Sequence, residues 1–86
     1  MAYQELTPRE IAVLRFEAAH PVHDGAKEEA IRKQLRMRAA RYAQVLNAVI
    51  DKPAALALDP LLVKRLLNAR EARTQARARR EFRSAI

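Results

Sequence analysis

Apolar residues along this chain recur with a period near 3.6, in stretches separated by short polar or proline-bearing breaks. The first stretch, Ile11, Val13, Leu14 and Ala18, is entered through Leu6-Thr7-Pro8-Arg9-Glu10. Thr7 is placed to cap with its hydroxyl, Pro8 suits the first helical position, and Glu10 stands where a capping box puts its acid. Leu6 and Ile11 have the spacing of a hydrophobic staple across that boundary. These signals predict a helix over 8–19, which must stop before Pro21 because a residue preceding proline is pushed out of the helical region.

Two further stretches lie close together and organise the rest. Ala30, Ile31 and Leu35 mark a helix over 26–35, capped by Asp24 and carrying Glu28 and Glu29 in its first turn. Tyr42, Val45, Leu46 and Val49 mark a second over 38–50. On a helical wheel these last three residues lie within about 60° of Tyr42. Ala40, Gln44, Asn47 and Asp51 fall opposite, with Arg41 on the flank. Leu35-Arg36-Met37 between the helices is an apolar–polar–apolar hinge, the arrangement of a helix-turn-helix. Arg36 occupies the turn position where such proteins usually place glycine, and Arg38 the place of a serine-type cap. A left-handed arginine costs roughly 1 kcal/mol or more relative to glycine; either the turn is built differently or, the reading favoured here, the cost is accepted because two more positive charges face a phosphate backbone.

Asp51-Lys52-Pro53 ends the third helix, and Ala54-Ala55-Leu56-Ala57-Leu58 has the length of one or two helical turns. Asp59-Pro60 restarts the chain with a cap and a first-turn proline, predicting a last helix over 60–80. Leu61, Leu62, Val63, Leu66 and Leu67 begin it as a packed element. Beyond Asn68 arginine and alanine alternate, and an alanine stripe buries little, so this part is expected to project from the core. The expectation is an all-α protein: a small helical domain with a helix-turn-helix core over 6–68 and a long basic C-terminal helix, residues 69–86 being its arginine-rich extension.

Composition narrows the function classes. The 86 residues contain no cysteine and a single glycine, which removes disulfides, thiolate metal sites and glycine-rich phosphate loops. No apolar run approaches the ~18 residues of a membrane span, and the N-terminus lacks a basic-then-apolar signal region. By default the protein is expected in the cytoplasm. The net charge of +7 is uneven: −2 over 1–24, +4 over 25–52, −1 over 53–60 and +6 over 61–86. Such a distribution points to a polyanion, nucleic acid before an anionic membrane surface. The arginine-rich tail fits a nucleic-acid arm best, then a dimerisation helix, then a membrane-surface helix.

Candidate chemistry follows from these placements. No nucleophile–base constellation or carboxylate pair near a histidine suggests an enzyme, and nothing suggests a cofactor or a small-molecule ligand. His20, His23 and Asp24 are read as loop residues at a helix entrance rather than as metal ligands. For double-stranded DNA, Arg41, Gln44 and Asn47 are the candidates for base edges, arginine toward guanine and the amides toward adenine. Arg36 and Arg38 at the helix entrance, Lys27, Arg32 and Lys33 on the preceding helix, and Arg73, Arg77, Arg79 and Arg80 on the tail are candidates for phosphates. Tyr42 is expected in the core, with its hydroxyl in reach of a phosphate.

Four segments together resemble a known family: Leu6-Thr7-Pro8-Arg9-Glu10-Ile11-Ala12-Val13-Leu14-Arg15-Phe16-Glu17, Gly25-Ala26-Lys27-Glu28-Glu29-Ala30-Ile31-Arg32, Arg41-Tyr42-Ala43-Gln44-Val45-Leu46-Asn47-Ala48-Val49-Ile50-Asp51 and Asp59-Pro60-Leu61-Leu62-Val63. They are similar to domain of unknown function 3263, small helix-turn-helix proteins of actinobacteria and their phages. The opening Leu-Thr-Pro-Arg-Glu also resembles the entry to sigma-factor region four and to response-regulator DNA-binding domains. The resemblance implies a DNA-binding type of fold. Together with the basic charge, the expectation is a transcriptional regulator or nucleoid-associated protein. An adaptor for RNA polymerase or another host factor is the alternative, and a homodimer stays open.

Overall fold

The computed structural model describes residues 6–85, and among them there are five helices and no strand. Helix α1 spans Pro8–Ala19. Helix α2 spans Gly25–Ala30 and continues as a π-helical turn over Ile31–Leu35. Helix α3 spans Ala39–Val49, α4 spans Pro53–Leu58, and α5 spans Pro60–Ala85. The all-α expectation holds, with the short apolar run at 53–58 forming a helix of its own. The last turn of α2 differs from a uniform α-helix: it is π-helical, a widening that occurs as single turns within helices.

Local chemistry sets each boundary. Thr7 Oγ1 accepts the Glu10 N–H at 3.1 Å while Glu10 Oε1 accepts the Thr7 N–H at 2.9 Å, closing the capping box of α1. Asp24 Oδ1 accepts the Lys27 N–H at 2.8 Å, and Asp59 Oδ1 accepts the Leu62 N–H at 3.2 Å. These caps satisfy donors that a helix start otherwise leaves unpaired. Arg36 ends the π turn at φ 55° and ψ 42°, the left-handed conformation expected of that position. Its N–H donates to the Arg32 carbonyl at 3.1 Å.

Two apolar clusters meet on α1 and α3. One gathers Leu6, Leu14, Val49, Ile50, Ala54, Ala55, Leu62 and Val63, and so fastens α4 and the start of α5 to α1 and α3. The other gathers Val13, Phe16, Ile31, Met37 and Tyr42, fastening α2 to the same pair. Leu46 touches both. Leu6 and Ile11 share the first cluster, as the staple spacing predicts. Leu35 and Leu46 are only half-buried, unlike Val13, Leu14, Val49 and Val63, which are sealed. Along α5 burial stops early: after Arg70 every described residue is exposed except the half-buried Ala76. At 1.5 Å per residue its 26 residues extend about 39 Å.

Candidate nucleic-acid interface

The orientation of α3 depends on a polar contact inside the second cluster. Glu17 of α1 and Lys27 of α2 are 2 % and 3 % exposed, and Lys27 Nζ lies 2.8 Å from Glu17 Oε1. The Tyr42 hydroxyl of α3 donates to the same oxygen. Burial, and next the Glu17 carboxylate, push the Tyr42 phenol well above its ordinary value. Its ring also packs edge-on against Phe16 at 5.6 Å, and Phe16 in turn stacks on His20 at 4.1 Å. The His20 Nδ1–H donates to the Phe16 carbonyl at 3.1 Å, so this loop histidine closes α1. One carboxylate thus joins three helices, because buried charge is tolerated only where it is paired and hydrogen-bonded.

Tyr42 lies in the core, as expected, and the contact corrects two finer expectations. Lys27 does not face solvent as a phosphate ligand; its ammonium is consumed by Glu17 in the interior. The Tyr42 hydroxyl is likewise directed inward rather than toward a phosphate. Glu17, at the centre of the network, is not among the residues that the sequence singles out. A signal for it exists: Glu17 follows Val13 by four residues and Lys27 precedes Ile31 by four, so opposite charges sit at core-facing positions of neighbouring helices.

Around α3 the remaining candidates divide into two flanks. Arg41 and Gln44 are exposed on one, with Arg36 and Arg38 exposed at the entrance to the helix. Arg36, Arg38 and Arg41 have no ion-pair partner among the described residues. Arg32 and Lys33 are exposed on α2 and lie 3.7 and 3.6 Å from Glu29. Ion pairs this open contribute little to stability. On the other flank Asn47 is engaged: Arg70 Nη1 donates to its Oδ1 at 3.0 Å and to its carbonyl at 3.3 Å. The same guanidinium grips Asp51 through both carboxylate oxygens, at 3.2 and 2.5 Å. Arg70 holds the Asp51 carboxyl below its ordinary value and is itself raised by it. Asn47, expected at a base edge, is exposed and accepts from Arg70 of α5, whose planar guanidinium also matches the Asp51 carboxylate with two parallel bonds.

Past that clamp, Arg73 lines a groove between α3 and α5, and Arg77, Arg79 and Arg80 stand exposed on the projecting part of α5. The surface that results has a short polar helix flanked by arginines at its N-terminal end and a basic helical arm fixed to its other side. The family model described as "Protein of unknown function (DUF3263)" matches residues 5–78. The chain belongs to this family. No curated protein and no solved structure matches it. In this member of the family the glycine-free turn is made by a left-handed arginine, and its charge is left facing outward.

Proposed function

We propose that this protein binds double-stranded DNA, as a transcriptional regulator or nucleoid-associated protein, with α2 and α3 acting as a helix-turn-helix. Helix α3 enters the major groove and the arginines of α5 lie along phosphates. The observation that carries this reading is the set Arg36, Arg38, Arg41 and Gln44, exposed at the entrance to α3 and along one of its flanks, the three arginines lacking acidic partners among the described residues. Unpaired arginines beside an exposed amide suit phosphate and base-edge hydrogen bonding respectively. Arg41 reads guanine and Gln44 adenine; Arg36, Arg38, Arg32, Lys33, Arg73, Arg77, Arg79 and Arg80 supply the backbone contacts. Asn47 and Lys27 leave the set, being committed to Arg70 and Glu17.

A second reading is an adaptor that binds a protein such as RNA polymerase. It draws support from Leu61 and Phe82, large apolar residues of α5 that are 82 % and 69 % exposed and that phosphate contacts do not require. A mobility-shift titration of random duplex across salt separates the two. DNA binding predicts an affinity that falls steeply with salt, the slope reflecting the number of phosphates contacted. No shift even at low salt, beside capture of one acidic protein, refutes it in favour of the adaptor.

A further inference from the structure

A groove of about 650 Å³ opens between α2, α3 and α5, on the flank of α3 away from Arg41 and Gln44. That volume lies within the range of small-molecule sites. Its walls are apolar, formed by Ile31, Leu46, Ile50 and Leu66, and the small Ala39 and Ala43 leave the α3 side open. Glu17, Lys27 and Tyr42 also line it.

The carboxylate of Glu17 is unevenly used. Oε1 takes both the Lys27 ammonium and the Tyr42 hydroxyl, while Oε2 has no partner among the described residues. Yet no side-chain nitrogen or oxygen sealed from solvent lacks a partner among those residues. Glu17 lines the groove, so an occupant that reaches its floor meets this carboxylate. An ionised carboxylate accepts several hydrogen bonds and donates none, so the free oxygen calls for a donor.

Charge at the mouth selects among donors. Asp24 and Glu28 stand exposed on the α2 rim without an ion pair among the described residues; His23 lies beside them, and Arg73 opposes them on the α5 rim. With Lys27 already matched to Glu17, the α2 side of the groove is negative on a chain of net charge +7.

We propose that this groove is a binding site for a small organic cation, a primary amine or guanidinium carried on a compact apolar body. The cation donates to Glu17 and lies toward Asp24 and Glu28, and the body fills the space between Ile31, Leu46, Ile50 and Leu66. This departs from the sequence, which gives no hint of a small-molecule ligand, and it does not depend on DNA being the macromolecular partner. Because α3 and α5 form opposite walls, an occupant contacts both elements that carry the candidate interface.

The test is a titration of the isotope-labelled full chain, followed by amide NMR shifts, with three probes of one shape. These are 2-phenylethylamine, neutral 2-phenylethanol and anionic 3-phenylpropionate. The expected result is saturable shifts at Ile31, Ala43 and Leu66 with the amine, with the alcohol about tenfold weaker and the anion weaker still. Ala43→Phe fills the groove from the exposed α3 wall while leaving Glu17, Lys27 and Tyr42 themselves unchanged, and should abolish amine binding in a chain that keeps its native spectrum. Glu17→Gln, where it folds, should erase the preference for amine over alcohol. An absence of saturable shifts, equal binding of the three probes, tighter binding of the anion, or unchanged affinity in Ala43→Phe each overturns the proposal.

Discussion

Lys27→Met would leave the Glu17 carboxylate in the interior with the Tyr42 hydroxyl as its remaining donor. Both charges of the pair are more than nine-tenths buried, so solvent does not screen the loss. Removing one member of such a pair costs about 3–5 kcal/mol, chiefly because an uncompensated charge stays behind. A chain of 86 residues has a total stability of roughly 4–13 kcal/mol, so this one change removes a large part of it. Tyr42→Phe, which deletes only the hydroxyl donor, should cost about 1.5–3 kcal/mol. Urea denaturation followed by circular dichroism reads both. With a slope near 1 kcal/mol/M for so small a domain, the Lys27→Met midpoint should fall by about 3 M or more. The control is the triple variant Glu17→Leu, Lys27→Met, Tyr42→Phe, which removes every polar group of the network together and should come out close to wild type or above it. A wild-type midpoint for Lys27→Met, or a triple variant as unstable as the single one, would refute the view that a charged network joins α1, α2 and α3.

Arg36→Gly should stabilise the fold by about 1 kcal/mol, raising the thermal midpoint by roughly 4–8 °C, because glycine adopts φ 55° without steric penalty; an unchanged or lower midpoint would show that the arginine side chain supports the turn. Leu14→Ala, at a sealed site, should cost about 2–5 kcal/mol and Leu35→Ala, half-buried, distinctly less, an order that denaturation midpoints would reverse if α2 packed more deeply than described. The Lys52 ammonium, first, and the Thr7 N–H hold the Glu10 carboxyl below its ordinary value of 4.5. A depressed folded-state value gives stability that is present above 4.5 and lost as pH falls through the folded-state value. Wild type should therefore lose its advantage over Glu10→Gln in acid melts, and parallel pH profiles for the two would exclude the contribution.

The helix starts were legible because they rest on adjacent residues: Thr7 with Glu10, Asp24, and Asp59 with Pro60 each state a cap locally. Arg36 was legible in part for the same reason: its position in the turn usually takes a left-handed residue, while a differently built turn stayed open until the backbone showed φ 55°. Which charges remained outside was harder. Lys27 and Arg32 look alike as basic residues on one helix, and only the approach of α1 decides that Lys27 meets Glu17 while Arg32 stays in solvent. Asn47 sits on the polar side of the α3 wheel, but the path of α5 brings Arg70 against it, a contact 23 residues distant in sequence. The groove has no local signature at all, since three separate helices supply its walls.

Recognition of DNA by α3 is tested most directly by comparing the preferred sequences and salt slopes of two variants against wild type, in one selection followed by titration. Gln44→Ala removes an exposed amide and no charge, so it should change the selected sequence at one base-pair position, by about 1–3 kcal/mol, with little effect on the salt slope. The joint change of Arg77, Arg79 and Arg80 to alanine should leave the selected sequence intact and weaken binding to every duplex. The log–log slope should flatten by roughly 0.9 for each phosphate that is no longer neutralised. If Gln44→Ala selects the wild-type sequence while the tail variant loses only general affinity, α3 is not the reader. If neither variant alters binding at any salt, the protein does not use this surface for DNA.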